Sequence, residues 1–308
     1  MASEKTPVID FLWDILQDEG KGRRVVYQED VVKAILECND RLGLNLSTRN
    51  TANFMKDVVR GDRASDFWPE RLTKARIGGR QRPGESRVFE FVDFLPGQTE
   101  AFPNKWMPHG LVSVPLETVS LPLASKSLGR KDESWLIQVA VNLKVFEYHF
   151  AVTSPLEVVE LTHLQIGVKL GNSEVDSLFL ATLKIDNDNA AKALITCEAK
   201  QEGQRILEHQ LIEQIVAANR SIKGLNLGID YIVPIAIKAI PPNGEVFIVE
   251  FAPWTPEMAE LDESKLPDLS LASQALYALR PPVKGVGYSL PRTRRRRQEA
   301  SARELPLA

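Results

Sequence analysis

ITCEAKQEG, residues Ile195 to Gly203, ends an apolar run with a glutamate and a lysine two positions apart. In an extended strand, side chains at i and i+2 share a face, so Glu198 and Lys200 point one way and Ala199 the other. Two readings follow. One is an ordinary surface ion pair at a strand end, which contributes little. The other is half of a site for a hard metal ion, which needs a second carboxylate beside Glu198. The flanking sequence favours the second. Glu174 to Leu183 (EVDSLFLATL) reads as a strand, IDNDNA as a turn, and Ala193 to Cys197 as the strand that leads into the triplet. A hairpin of these two strands would bring Asp176 to Glu198 across a separation of 22 residues. Asp176 sits among Val175, Leu178 and Phe179, and a carboxylate in apolar surroundings needs a partner or a metal.

Working outward, Val158 to Leu170 reads as a preceding strand, and Asp132 to Phe150 carries one long helical pattern. After the triplet, Gly203 to Ala218 places Ile206, Leu207, Leu211, Ile215 and Val216 at helical spacing. Tyr231 to Ile240 and Glu245 to Phe251 form a hairpin around PPNG, although Pro234 argues against an unbroken central strand. Beyond Trp254 the pattern is irregular, with one short helix expected over Ser270 to Ala278. Upstream, helices are expected over Val8 to Leu16 and Gln28 to Arg41, the latter with an apolar stripe of Val31, Val32, Ile35 and Leu36 and ended by Gly43. A third helix, capped by Ser47 or Thr48, contains Phe54, Met55, Val58 and Val59. Two strands around a basic Gly/Pro turn follow, the second at Arg87 to Phe91. The expected organisation is an N-terminal domain over 1–95, a Pro/Gly-rich linker over 96–130, a core over 131–255 and an extension over 256–308.

Composition sets the class. With 308 residues, 44% hydrophobic and 26% charged, the chain reads as an ordinary globular protein of about two domains. No run of about 18 apolar residues is present, and the N-terminus lacks the pattern of a signal peptide. Cys38 and Cys197 have no metal-ligand spacing, which fits reduced thiols in a cytoplasmic location. The net charge of −3 hides local basic stretches. Residues 71–87 hold six Arg or Lys against one Glu, and 292–297 hold five arginines. His109, His149, His163 and His209 form no zinc pattern, and no nucleophile elbow, P-loop or dinucleotide fingerprint occurs.

The order helix, three strands, helix, strand, with Asp176 on the second strand and Glu198-Ala199-Lys200 on the third, resembles the core of the PD-(D/E)XK nuclease superfamily. Many type II restriction endonucleases belong to it. The resemblance covers about Asp132 to Phe251. It implies an α/β fold, a restriction-endonuclease-like mixed sheet flanked by helices. It also implies Mg²⁺ held by Asp176, Glu198 and the Ala199 carbonyl, with Lys200 orienting or deprotonating the attacking water. Gln210 and Gln214 stand where the superfamily often has Gln-x-x-x-Tyr; the second position departs from that pattern. Glu133 matches an extra metal ligand of some relatives, although a helix N-terminus suits a Glu without any metal.

Residues Val8 to Phe94 resemble a winged helix-turn-helix domain. That resemblance implies a third helix in the major groove, offering Arg49, Asn50, Asn53 and Lys56, and a hairpin presenting Arg80, Gln81 and Arg82. A merely solvated polar face is the plain alternative. The expected protein is therefore an Mg²⁺-dependent endonuclease of duplex DNA, of sequence-specific type II restriction type. A homodimer and a companion DNA methyltransferase encoded nearby go with that expectation. The rivals are a DNA-binding regulator with an inactive nuclease-like dimerisation domain, and a structure-specific repair or mobile-element nuclease.

Overall fold

The computed structural model describes residues 4–18, 22–82, 86–170, 173–225, 227–262 and 265–288. The Arg-rich tail and residues 83–85 and 171–172 lie outside the described residues. The chain folds into two packed units.

The first unit opens with helix α1, Lys5–Asp18, strand β1, Val25–Tyr27, and helix α2, Gln28–Leu42. Gly43 ends α2 in the left-handed region at φ 64°. Helix α3, Thr51–Arg60, is capped by Asn50, whose side chain accepts from the Asn53 N–H at 3.0 Å. The expected caps do not serve: the Ser47 hydroxyl accepts from the Arg49 N–H in the approach to the helix. A short helix α4, Glu70–Lys74, leads to β2, Ile77–Gln81, and β3, Arg87–Asp93. The three strands form an antiparallel sheet in the order β1-β3-β2. Apolar faces of the helices, including Leu12, Ile35, Met55 and Val59, close over Trp68, Phe89 and Phe91. Gly79 is required there, because a Cβ would fall 2.0 Å from the Phe89 ring.

The second unit begins in residues expected to be linker, which instead supply strand β4, Ser113–Glu117, and helix α5, Leu123–Leu128. The single helix expected over 132–150 is two, α6, Glu133–Asn142, and α7, Val145–Val152. The break falls at Lys144, which takes φ 56°. Three strands follow: β5, Val158–Leu170, β6, Ser173–Lys184, and β7, Ala190–Lys200. Helix α8, Glu208–Ile222, then crosses to β8, Tyr231–Ile240, which turns back as β9, Glu245–Phe251. Helix α9, Pro256–Ala259, precedes β10, Leu271–Arg280.

The seven strands form one mixed sheet, β4-β10-β9-β8-β7-β6-β5, in which β7–β8 and β10–β4 are parallel and the other pairs antiparallel. The helix expected over Ser270 to Ala278 is therefore a strand, and the expected extension belongs to the sheet. Its neighbours β9 and β4 take up both edges of β10, which overrides the helical bias of its Ala and Leu. Pro234 is accommodated where the β8–β9 register slips by one residue, between Ile235↔Glu250 and Ile232↔Trp254. Helices α6 and α7 cover one face through Trp135, Leu136, Phe146 and Phe150, packed on Ile195, Val233, Ile248 and Tyr277. On the other face, α8 buries Leu211 and Ile215 against Ile232, Ala236 and Val249, and Trp106 meets Phe251 edge to face at 4.9 Å. Among the described residues no helix is long and apolar enough to cross a membrane.

The end of α3 ties the two units together. The Arg60 carbonyl accepts from the Arg205 N–H at 3.0 Å, and the Asp62 N–H donates to the Gly203 carbonyl at 3.1 Å. Arg60 pairs with Glu133 at 2.6 Å, and Lys238 with Asp62 at 3.2 Å. Arg205 is 2% exposed, donates to the Val59 and Phe102 carbonyls and lies over the Phe102 ring. Arg205→Ala removes both side-chain donors and most of that packing. Its expected cost is about 2–4 kcal/mol, read as a lower urea midpoint. Hydrogen exchange should accelerate in α3 more than in β7. An unchanged midpoint would mean that this side chain does not hold the junction.

Candidate active site

The β6–β7 ladder runs from Lys184↔Ala190 to Ser177↔Cys197 and stops there, while β7 continues against β8 as far as Lys200↔Lys238. Past Cys197 the edge of β7 is open, and Asp176 fills the fork. Its Oδ2 accepts from the Ala199 N–H at 2.7 Å. The hairpin thus brings Asp176 to the triplet as the spacing requires.

Glu198 and Lys200 point toward α8 and are each 2% exposed, so the surface-pair reading does not hold. Lys200 Nζ donates to Glu198 Oε1, and to Gln210 Oε1 at 3.1 Å. Gln210 Nε2 donates to Glu198 Oε1 at 2.5 Å. Gln214 Nε2 donates to Glu198 Oε2 and to the Glu174 carbonyl at 2.9 Å. One turn of α8 separates the two amides, which places both over the same carboxylate. Ala199 faces the opposite side and packs among the residues under α6.

Burial pushes the Asp176 carboxyl up from 3.8 to about 7, and the nearby Glu198 adds to the shift. The Ala199 N–H and Lys200 oppose it. Two carboxyls share a confined, largely dry space, an arrangement that favours a proton or a cation between them. Across the ladder, Lys238 is also 2% exposed; burial lowers its pKa, and Asp62 works against that. The Cys197 thiol is pushed well up by burial, which leaves it unreactive.

Comparisons with protein-family models, curated proteins and solved structures give no match. The site is read from its own geometry.

That geometry brings Asp176, Glu198, Ala199, Lys200, Gln210 and Gln214 into one cluster. Glu133 is near enough to raise the Asp176 pKa, but its carboxylate is engaged by Arg60. Among the described residues no group of three or more His, Cys, Asp or Glu is arranged to hold a metal. The available donors are a carboxylate pair and main-chain oxygen, hard ligands of the kind Mg²⁺ takes while keeping several waters.

The residues expected to meet DNA fall into two sets. Arg49 and Asn53 are exposed at the start of α3, Lys56 is half-buried, and Asn50 spends its side-chain oxygen on the cap. Arg80 and Arg82 donate to one oxygen of Glu90, at 2.8 and 2.7 Å. With Gln81 they line a cleft against α8.

Three cations at the junction, the buried Lys238 and Arg205 and the half-buried Arg60, have no counterpart in the expectations. Lys238 did leave a signal, as the one charged residue in YIVPIAIKAI. On the opposite sheet face, His149 and Glu250 are fully buried. His149 Nε2 lies 3.2 Å from Glu250 and 3.1 Å from the Ser273 hydroxyl, while Nδ1 meets the Tyr277 hydroxyl at 3.0 Å. Ser154 and Ser273 both donate to Glu250. A nucleophilic triad needs the acid and the serine on opposite ring nitrogens. Here both share Nε2, so the network serves as a buried tie between α7, β9 and β10.

Proposed function

We propose that the protein is an Mg²⁺-dependent endonuclease of duplex DNA, with a PD-(D/E)XK core and an N-terminal winged helix-turn-helix unit. The observation that carries this reading is Asp176, seated at the fork between β6 and β7 within one hydrogen bond of a buried Glu198-Ala199-Lys200 strand. Supporting it is the antiparallel run β5-β6-β7 followed by a helical crossover to parallel β8. The order α1-β1-α2-α3-β2-β3, with a β1-β3-β2 sheet, supports the helix-turn-helix assignment.

On this reading Asp176, Glu198 and the Ala199 carbonyl would hold the ion, which when bound supplies Lewis-acid stabilisation of phosphoryl charge and a more acidic water. Asp176 gives up its proton on binding. Gln210 and Gln214 fix Glu198 in one rotamer, so its position does not depend on solvent. Lys200 is a pure donor held at the strand end, and on this reading it would orient a water and offset charge on the phosphoryl oxygens. Exposed Arg49 and Asn53 would contact the duplex from α3. Cutting both strands takes two such sites, so a homodimer belongs to the reading, as do a cytoplasmic location for this protein and a companion DNA methyltransferase encoded nearby.

The test is incubation of the purified protein with plasmid DNA of diverse sequence, with Mg²⁺ or with EDTA, beside Asp176→Ala. Discrete Mg²⁺-dependent fragments that disappear in the variant are expected. Intact DNA with the wild-type protein, or equal cutting by the variant, overturns the proposal.

A further inference from the structure

Helix α8 carries a second lined surface beside the one that holds Glu198. Successive residues of an α-helix are turned by about 100°, so Gln210 and Gln214 face the carboxylates while His209 and Glu213 face a neighbouring direction. There His209, Ile212, Glu213, Val216 and Arg220 look across a cleft of about 560 Å³ at the β2–β3 hairpin. Small-molecule sites typically occupy roughly 300–1,000 Å³.

The lining of the cleft divides by chemistry. Arg80, Arg82 and Arg87 from the hairpin and Arg220 from α8 bring four guanidinium groups from the two units. Glu90 orients the first two by accepting from both Nε atoms. Arg87 and Arg220 are exposed, and neither has a carboxylate partner among the described residues. The same cleft is lined by the apolar side chains of Leu170, Val216, Leu261, Leu266 and Pro267, and by Asp268.

Two polar groups in the lining bear on the charge of the cleft. His209 Nε2 is buried without a hydrogen-bond partner, which is rare for such an atom in a folded protein. Burial, with Arg80 and Lys200 adding, lowers its pKa to about 4, so the ring is neutral. Burial raises Glu213 to about 8, so at neutral pH it is mostly uncharged and does not cancel the arginines.

We propose that this cleft binds a nucleotide, with its phosphate on Arg80, Arg87 and Arg220 and its base against Val216, Leu261 and Pro267, beside His209. A bare inorganic anion would leave the apolar lining unused. A purely apolar ligand would leave the guanidinium groups unmatched. The nucleotide is either free or one unit of a nucleic-acid strand. None of Asp176, Glu198 and Lys200 lines the cleft, so the proposal stands apart from the nuclease reading.

The experiment is calorimetric titration of the full chain at neutral pH and low salt with AMP, with inorganic phosphate and with a short oligo-dT strand. Wild type is compared with Arg87→Glu, Arg220→Glu, Glu213→Gln and Asp176→Ala. Both arginine variants change exposed side chains, and unchanged melting temperatures would show that they fold. Saturable binding of AMP or of the strand is expected, weakened at least about tenfold in each arginine variant and kept in Glu213→Gln and Asp176→Ala. Binding of AMP identifies a free nucleotide as the source; binding of the strand alone identifies nucleic acid. Three results overturn the proposal: no saturable binding of either probe, binding untouched by both arginine variants, or inorganic phosphate binding as tightly as AMP. Loss of cleavage in Asp176→Ala with nucleotide binding intact would separate this site from the catalytic one.

Discussion

Asp176→Asn is expected to make the protein more stable and inactive at once. The folded chain holds the Asp176 proton up to about pH 7, whereas an ordinary aspartate releases it near 3.8. Between those values the native state binds more protons than the unfolded state, so stability falls as the pH rises. The burden is absent below about pH 3.8 and complete above about pH 7. Asparagine has no proton to lose, and its side-chain oxygen can still accept from the Ala199 N–H. At pH 8 the variant should therefore gain on the order of 3–4 kcal/mol in unfolding free energy, and at pH 4 almost nothing. Urea titrations at the two pH values decide it, and equal gains at both would remove the carboxyl as the source. Mg²⁺ added at pH 8 should narrow the gap by stabilising the wild type alone. Cleavage of DNA should be lost in the variant under every condition, because an amide is a poor ligand for a hard cation. A site that lowers the stability of its own fold is the trade expected of functional carboxylates.

Glu198→Ala should act in the opposite direction. It strands the Lys200 ammonium at 2% exposure with Gln210 as its remaining acceptor, and it leaves the Gln214 amide without a carboxylate. Breaking a buried ion pair from one side costs about 3–5 kcal/mol, far more than the pair contributes in net terms. Lys200→Met in the Glu198→Ala background should restore most of the loss, since the uncompensated charge is then gone. The double-mutant cycle is read from urea midpoints of the four proteins. A single Glu198→Ala variant within about 1 kcal/mol of wild type would indicate a hydrated pair, contrary to its burial.

Much of the second unit is legible in the sequence, and the exceptions share a cause. Strands β5 to β9 stand out because Gly/Asn/Asp turns punctuate apolar runs of strand length. Asp176, Glu198 and Lys200 can be placed because one hairpin joins them, and a hairpin is local. β10 is not legible: LASQALYALR has the composition of a helix, and only its two neighbours in the sheet make it a strand. β4 contains Pro115, which is acceptable because that strand lies at the sheet edge and pairs on one side. The break between α6 and α7 carries no glycine, since Lys144 itself takes the left-handed conformation. Contacts across the junction are the least visible. Lys238 and Asp62 lie 176 residues apart, and neither is marked by its immediate neighbours. The same holds for Glu133, whose place at a helix start is plain and whose partner Arg60 is not.

The links at the end of α3 also set a length. Turning that helix against the sheet would break the Arg60–Glu133 and Asp62–Lys238 pairs together with both main-chain bonds at Gly203 and Arg205. Those four links would have to break together, so they hold α3 against the sheet and tie the span from Arg49 to Asp176 to the fold. On the proposed reading the junction would act as a ruler. For a double helix gripped at α3, that ruler would fix how many base pairs separate the point of contact from the carboxylates. Glycines inserted between Arg60 and Gly61 would lengthen it, and the cut would be expected to move or lose its fixed position.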